Sequence, residues 1–164
     1  MEKIIKAIKI NRSNFSMYGD LISIDDINPM NINEGYAKRF DNLANLDTSK
    51  DDGKTIVSIF SALKRTFPMK IHMMEKNTLG TQAFIPMKET TFLAFVAPTG
   101  ESHEIDKIQS FIIPPKMGIN YKPGIWHFPL ISTENINFLV IDRKGSGDNL
   151  IIHKFEKEKI ILHY

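Results

Sequence analysis

Cysteine is absent from the 164 residues. That excludes disulfides, thiolate metal ligands, and any cysteine nucleophile or redox pair. Long apolar runs are missing too. Stretches such as Phe92 to Ala97 and Phe111 to Pro115 fall far short of the roughly 18 residues that would span a bilayer. Neither sign of charge dominates: 21 basic side chains face 19 acidic ones, a formal +2, which argues against a nucleic-acid groove. The first ten residues alternate charge with aliphatics and hold no continuous signal-peptide core. No repeat period and no Gly/Ser or Pro-rich linker interrupts the chain. The expectation is one domain over residues 1–164, cytoplasmic, with neither a membrane nor a nucleic acid as partner.

What the sequence does have is short β-rich runs. Residues 55–60, 82–86, 91–96, 110–113 and 136–141 are rich in Ile, Val and Phe, and Pro, Gly or polar clusters bound them. Polar clusters at 47–54, 97–102 and 143–149 read as turns. Helical pattern is scarce. Residues 103–108 suit one short turn, and residues 15–19 another, with Ser13 or Asn14 as cap and Gly19 as stop. Many short strands in one domain predict an all-β sandwich or barrel with a few short helices. Its strand edges must be closed off or paired with a second subunit.

The densest functional-looking stretch runs from Gly118 to Pro129 and holds the only tryptophan, two glycines, two prolines and one histidine. Pro123-Gly124 predicts a tight turn, since Pro presets its φ and Gly accepts positive φ. The strand after it then shows Ile125 and His127 on one face, Trp126 and Phe128 on the other. A rigid turn aiming a histidine inward makes a ligand or a base; a core hairpin with a backbone-satisfied histidine is the plainer alternative. Upstream, Glu75 and Asn77 are two apart and share a strand face, and Gln82 follows five residues later. This spacing, joined later by Pro-Gly-x-x-His, resembles the two motifs of cupin barrels. It would put Glu75, Asn77, Gln82 and His127 at ligand positions, with Glu75, Gln82 and His127 as the candidate metal site. Only His127 is a strong imidazole donor, and carboxamide oxygens bind late transition metals poorly.

Leu79 to Met87, Gly118 to Tyr121, Trp126-His127 and Phe138 to Arg143, together with Phe15 to Asp20, Asn33-Glu34-Gly35 and Arg39-Phe40, resemble the ureidoglycolate lyase family in the family's own order. The resemblance implies a cupin-like β-barrel or jelly roll, a homodimer and a role in allantoin catabolism. It also implies a small-molecule substrate, ureidoglycolate, split into glyoxylate and urea, and a divalent metal such as nickel or manganese. Where the family has histidines or an arginine, this chain has Ser61, Asn77, Lys122 and Phe128. A divergent enzyme acting on another small hydroxy- or keto-acid, or a non-catalytic binder, therefore stays open beside the lyase.

Breaking the substrate's C–N bond needs a base at its hydroxyl and an acid at the departing nitrogen, and its carboxylate needs a cationic clamp. His127, Glu75 and Lys122 are the expected catalytic groups. Lys122 or Lys88 would bind the carboxylate, with Arg143 as a second clamp, and Gln82 and Tyr121 would hold the ureido group. Each has a duller reading: Glu75 as a solvated strand residue, Lys122 as an exposed turn residue, Tyr121 and Trp126 as packing, Arg143 as a rim ion pair.

Overall fold

Alternating apolar and polar residues place one side of each strand in an interior, and the computed structural model assembles these strands into layered sheets. It describes residues 2–100 and 105–164. In chain order the strands are β1 (Glu2–Lys6), β2 (Ile8–Lys9), β3 (Gly19–Ile22), β4 (Met30–Ile32), β5 (Ala37–Arg39) and β6 (Lys54–Ala62). Then come β7 (Met69–Ile71), β8 (Met73–Asn77), β9 (Gln82–Pro86), β10 (Phe92–Ala97), β11 (Gln109–Ile113) and β12 (Gly118–Tyr121). The last are β13 (Trp126–His127), β14 (Ile131–Ser132), β15 (Ile136–Lys144), β16 (Leu150–Lys154) and β17 (Lys159–His163). The five strands expected from the sequence all form.

The central sheet has the order β16-β8-β13-β10-β11-β2, with β14 also on β10. A facing sheet runs β3-β12-β9-β15-β6, and an outer sheet runs β1-β17-β7. The middle of the central sheet is buried on both sides, and β10 shows how. Phe92, Ala94 and Val96 enter one apolar cluster with Phe84, Phe138 and Val140. Leu93, Phe95 and Ala97 enter a second with Ile71, Ile160 and Leu162. A strand covered twice reads as a continuous apolar run rather than an alternating one, and each such side chain contributes roughly 1.5–3 kcal/mol by leaving water.

The all-β expectation holds as a cupin-like sandwich, but the wall does not close into a barrel. Among the described residues, β6 on the facing sheet pairs only with β15, and β16 on the central sheet pairs only with β8. An isolated bridge between Lys64 and Ser132 is a link past the end of β6. The end of β6 and the segment after it line a cleft.

The first helix also sits apart from its expected place. It spans Arg12–Phe15, with Asn11 as cap in a reciprocal capping box with Asn14, because asparagine side chains accept well from helix-start N–H groups. A 3-10 turn covers Ile105–Lys107; the earlier part of the predicted 103–108 turn, and residues 101–102 of the 97–102 turn, lie outside the described residues.

Candidate functional site

The Lys122–Ile125 turn forms as its Pro-Gly dictates. Gly124 takes φ +80°, and its N–H donates to Asn77 O at 2.6 Å, tying the turn to the end of β8. The chain then enters β13 between β8 and β10, and His127 falls directly opposite Glu75. As the alternation requires, Ile125 belongs to the cluster between the sheets, and Trp126 and Phe128 belong to the cluster behind the central sheet.

His127 is buried, at 1% exposure. Its ring lies parallel to Tyr121, with centroids 4.4 Å apart and planes at 13°. Its Nδ1 is 3.1 Å from Ile125 O. A carbonyl can only accept, so Nδ1 carries the proton and Nε2 presents its lone pair. Nε2 has no hydrogen-bond partner and faces Glu75 Oε1 at 3.6 Å, inside ion-pair reach but beyond a hydrogen bond. Two acceptors held face to face favour a proton placed between them or brought by a third group. Burial and the Glu75 charge push the Tyr121 phenol above its ordinary value, so it stays neutral and serves the site as the flat support beneath His127.

Gln82 lies across the gap on β9, next to Tyr121 in register. Its Nε2 donates to Asp142 Oδ2 at 3.1 Å, and its Oε1 accepts from Asn77 Nδ2 at 3.1 Å. Because a carboxylate only accepts, Asp142 fixes which way the amide points. One N–H and one lone pair of Gln82 remain for a ligand.

Glu75 and Gln82 line a cleft of about 550 Å³, with Phe60 and Phe84 on its apolar side, Pro129 and Leu130 at one border, and Ser61 to Arg65 along the rim. The volume suits a small organic molecule. Of the expected site residues the structure brings together Glu75, Gln82 and His127, with Tyr121 packed behind. Three expected cations lie elsewhere. Lys122 Nζ donates to Ser16 O. Lys88 borders a separate shallow depression with Asn135 and Asn137. Arg143 is buried, and its guanidinium donates to the carbonyls of Lys50, Asp51 and Ser146 at 2.8–3.1 Å. The cations on the cleft are instead Lys64 and Arg65, two residues in no motif that spacing could reveal. Asp142 was legible, since it follows Phe138 and Val140 on the inward face of β15.

The donors fit a transition metal poorly. Glu75 and His127 supply two, Gln82 adds only a carboxamide oxygen that already accepts from Asn77, and no group of three His, Cys, Asp or Glu side chains gathers among the described residues. Among the described residues no helix is long and apolar enough to cross a membrane.

Fold and cleft together define a β-sandwich protein in which a buried imidazole–carboxylate pair adjoins a cleft through Glu75. The chain belongs to the ureidoglycolate lyase family, whose model matches residues 2–162. It is 39% identical over 151 residues to a ureidoglycolate lyase of Pseudomonas syringae pv. tomato, covering 92% of this chain and 89% of that one. It is 36% identical to one from Pseudomonas putida, covering 93% and 92%. A third, from Pseudomonas paraeruginosa, is 35% identical over 161 residues, covering 98% and 95%.

Proposed function

We propose that this protein cleaves ureidoglycolate to glyoxylate and urea, with His127 and Glu75 moving the proton. The observation that carries the reading is the buried pair at 3.6 Å, one imidazole lone pair facing one carboxylate on the wall of a cleft. In the substrate the hydroxyl oxygen and the ureido nitrogen sit on the same carbon, so one imidazole reaches both. His127 Nε2 accepts the hydroxyl proton, and the O–H electron pair becomes the carbonyl of glyoxylate. The C–N bond breaks, its electrons stay on nitrogen, and the same proton returns from Nε2 to complete urea. The Glu75 carboxylate beside Nε2 stabilises the imidazolium that carries the proton across. Proton and electron pairs balance without another reactant. General acid–base help of this kind contributes about 10²- to 10⁴-fold. The free N–H and lone pair of Gln82 suit the ureido group, and the parallel Tyr121 ring keeps the imidazole aimed.

Glyoxylate release from ureidoglycolate by the purified protein, followed by NADH-coupled reduction, tests the reading. Sustained release is expected; a flat trace at micromolar enzyme would overturn it.

A homodimer belongs to the same reading. The outward side of the facing sheet carries Val57 opposite Ile141, and Ile59 opposite Leu139 and then Ile85. Val57 is 66% and Ile59 50% exposed, an apolar surface of the kind that subunits cover. A monomeric mass at sedimentation equilibrium would remove this element.

A further inference from the structure

We infer that Lys64 and Arg65 form the clamp that selects the substrate's carboxylate and so sets its orientation. The inference deepens the lyase reading and rests on it.

Electrostatics comes first. The cleft is acidic at Glu75 and cationic at Lys64 and Arg65. A small anion entering it is repelled by Glu75 and drawn to Lys64 and Arg65, which leaves the carbon that bears its carboxylate toward the Glu75–His127 pair. Neither side chain is committed elsewhere. Among the described residues no carboxylate pairs with Lys64 or Arg65, and the Arg65 guanidinium rests 5.7 Å from the centroid of the Phe128 ring. Their backbones, by contrast, are pinned. Lys64 N–H donates to Asn135 Oδ1 at 2.8 Å, Arg65 N–H donates to Ser132 O at 2.8 Å, and Lys64 bridges Ser132. Two cations with fixed roots and ends free of any acid give a carboxylate a point charge and a planar fork at modest ordering cost. Lys122, Lys88 and Arg143 cannot share this work, because their side chains lie outside the cleft.

The chemical class follows. The site takes a short acid whose carboxylate is bonded directly to the reacting carbon, and it discriminates against the neutral amide of the same skeleton. A clamp that grips ground state and transition state alike shows mainly in KM, whereas loss of the proton-transfer pair shows in kcat.

The test is steady-state kinetics of the full chain as wild type, Lys64→Met, Arg65→Met and the double variant, with ureidoglycolate and with its carboxamide. Isothermal titration with glyoxylate runs alongside. Both residues are exposed, so thermal unfolding should match the wild type and certify folding. For ureidoglycolate the double variant should raise KM roughly 10- to 100-fold with kcat within about threefold. Glyoxylate affinity should fall by a similar factor, Lys64→Arg should restore much of it, and turnover of the carboxamide should not change. A wild type that cleaves ureidoglycolate beside a double variant with unchanged KM would overturn the clamp and leave the lyase reading standing. A wild type that releases no glyoxylate yet binds it through Lys64 and Arg65 would overturn the lyase reading and keep the clamp. Glyoxylate bound equally well by wild type and double variant, or by neither, would overturn the clamp.

Discussion

Two regions of this molecule treat buried polar groups in opposite ways. Around Arg143 the guanidinium nitrogens that reach backbone find carbonyls, with four hydrogen bonds to Lys50, Asp51 and Ser146. Space for the side chain is made by glycine: a Cβ on Gly53 would come within 2.2 Å of Arg143 Nε, and one on Gly80 within 2.8 Å of its Cβ. At the cleft the reverse holds. His127 Nε2 and Asp142 Oδ1 are buried without partners, and among the described residues the cleft cations Lys64 and Arg65 have no acid. A buried polar atom left unpaired costs about 1–3 kcal/mol, so it persists where something else benefits. The satisfied region holds loops on the sandwich; the unsatisfied one is the place where a ligand can supply the missing partners.

The sharpest way to break this contrast is to satisfy the cleft. Glu75→Gln puts an amide N–H opposite the His127 Nε2 lone pair, turning two facing acceptors into a donor and an acceptor. Lyase kcat should fall about 10²- to 10⁴-fold because the imidazolium loses the carboxylate that stabilises it. Stability should stay level or rise by roughly 0.5–1 kcal/mol as the orphaned atom gains a hydrogen bond. Parallel kinetics and thermal unfolding check this, and loss of both activity and stability would contradict the assignment of strain to function.

Breaking the satisfied region should do the converse. Arg143→Met strips three backbone carbonyls of a charged donor and releases the 50–52 turn, where Asp51 and Asp52 hold φ of 51° and 56°. A loss of about 2–3 kcal/mol is expected, read as a lower unfolding midpoint in urea with an unchanged slope. A midpoint within error of wild type would mean that water replaces the guanidinium without cost.

The same contrast explains what the sequence could and could not reveal. The Pro123-Gly124 turn, the inward aim of His127 and the shared face of Glu75 and Asn77 follow from local rules of turn geometry and strand alternation, and all three hold. Residue type alone, however, cannot tell a cation that grips backbone from one that awaits a ligand. Arg143 sits in a motif and Lys64 and Arg65 do not, yet partners distant in sequence decide their roles: Lys50 lies 93 residues from Arg143, and Asn135 lies 71 from Lys64. Closure of the barrel was not legible either, because it depends on whether β6 finds a second neighbour. The outer sheet escaped notice for a related reason. Its strands β1 and β17 come from opposite ends of the chain and pair in parallel, a contact with no local signature.

Asp142 lies between the two regions and sharpens the comparison by the smallest step. It follows Ile141 and precedes Arg143 on β15, so its neighbour's side chain turns out to the loop slot while its own turns in to Gln82. Its Oδ2 accepts the Gln82 N–H, and its Oδ1 accepts nothing. If its role is to fix the amide, Asp142→Ala frees Gln82 to rotate while Asn77 still holds the amide oxygen. The cost to kcat should then be about tenfold, near 1.4 kcal/mol, with little change in unfolding midpoint because one bond and one orphaned oxygen vanish together. Asp142→Asn keeps an acceptor oxygen in the same place and should recover most of the rate. A tenfold loss in Asp142→Asn equal to that in Asp142→Ala would show instead that the negative charge, not the orientation of Gln82, is what the cleft requires.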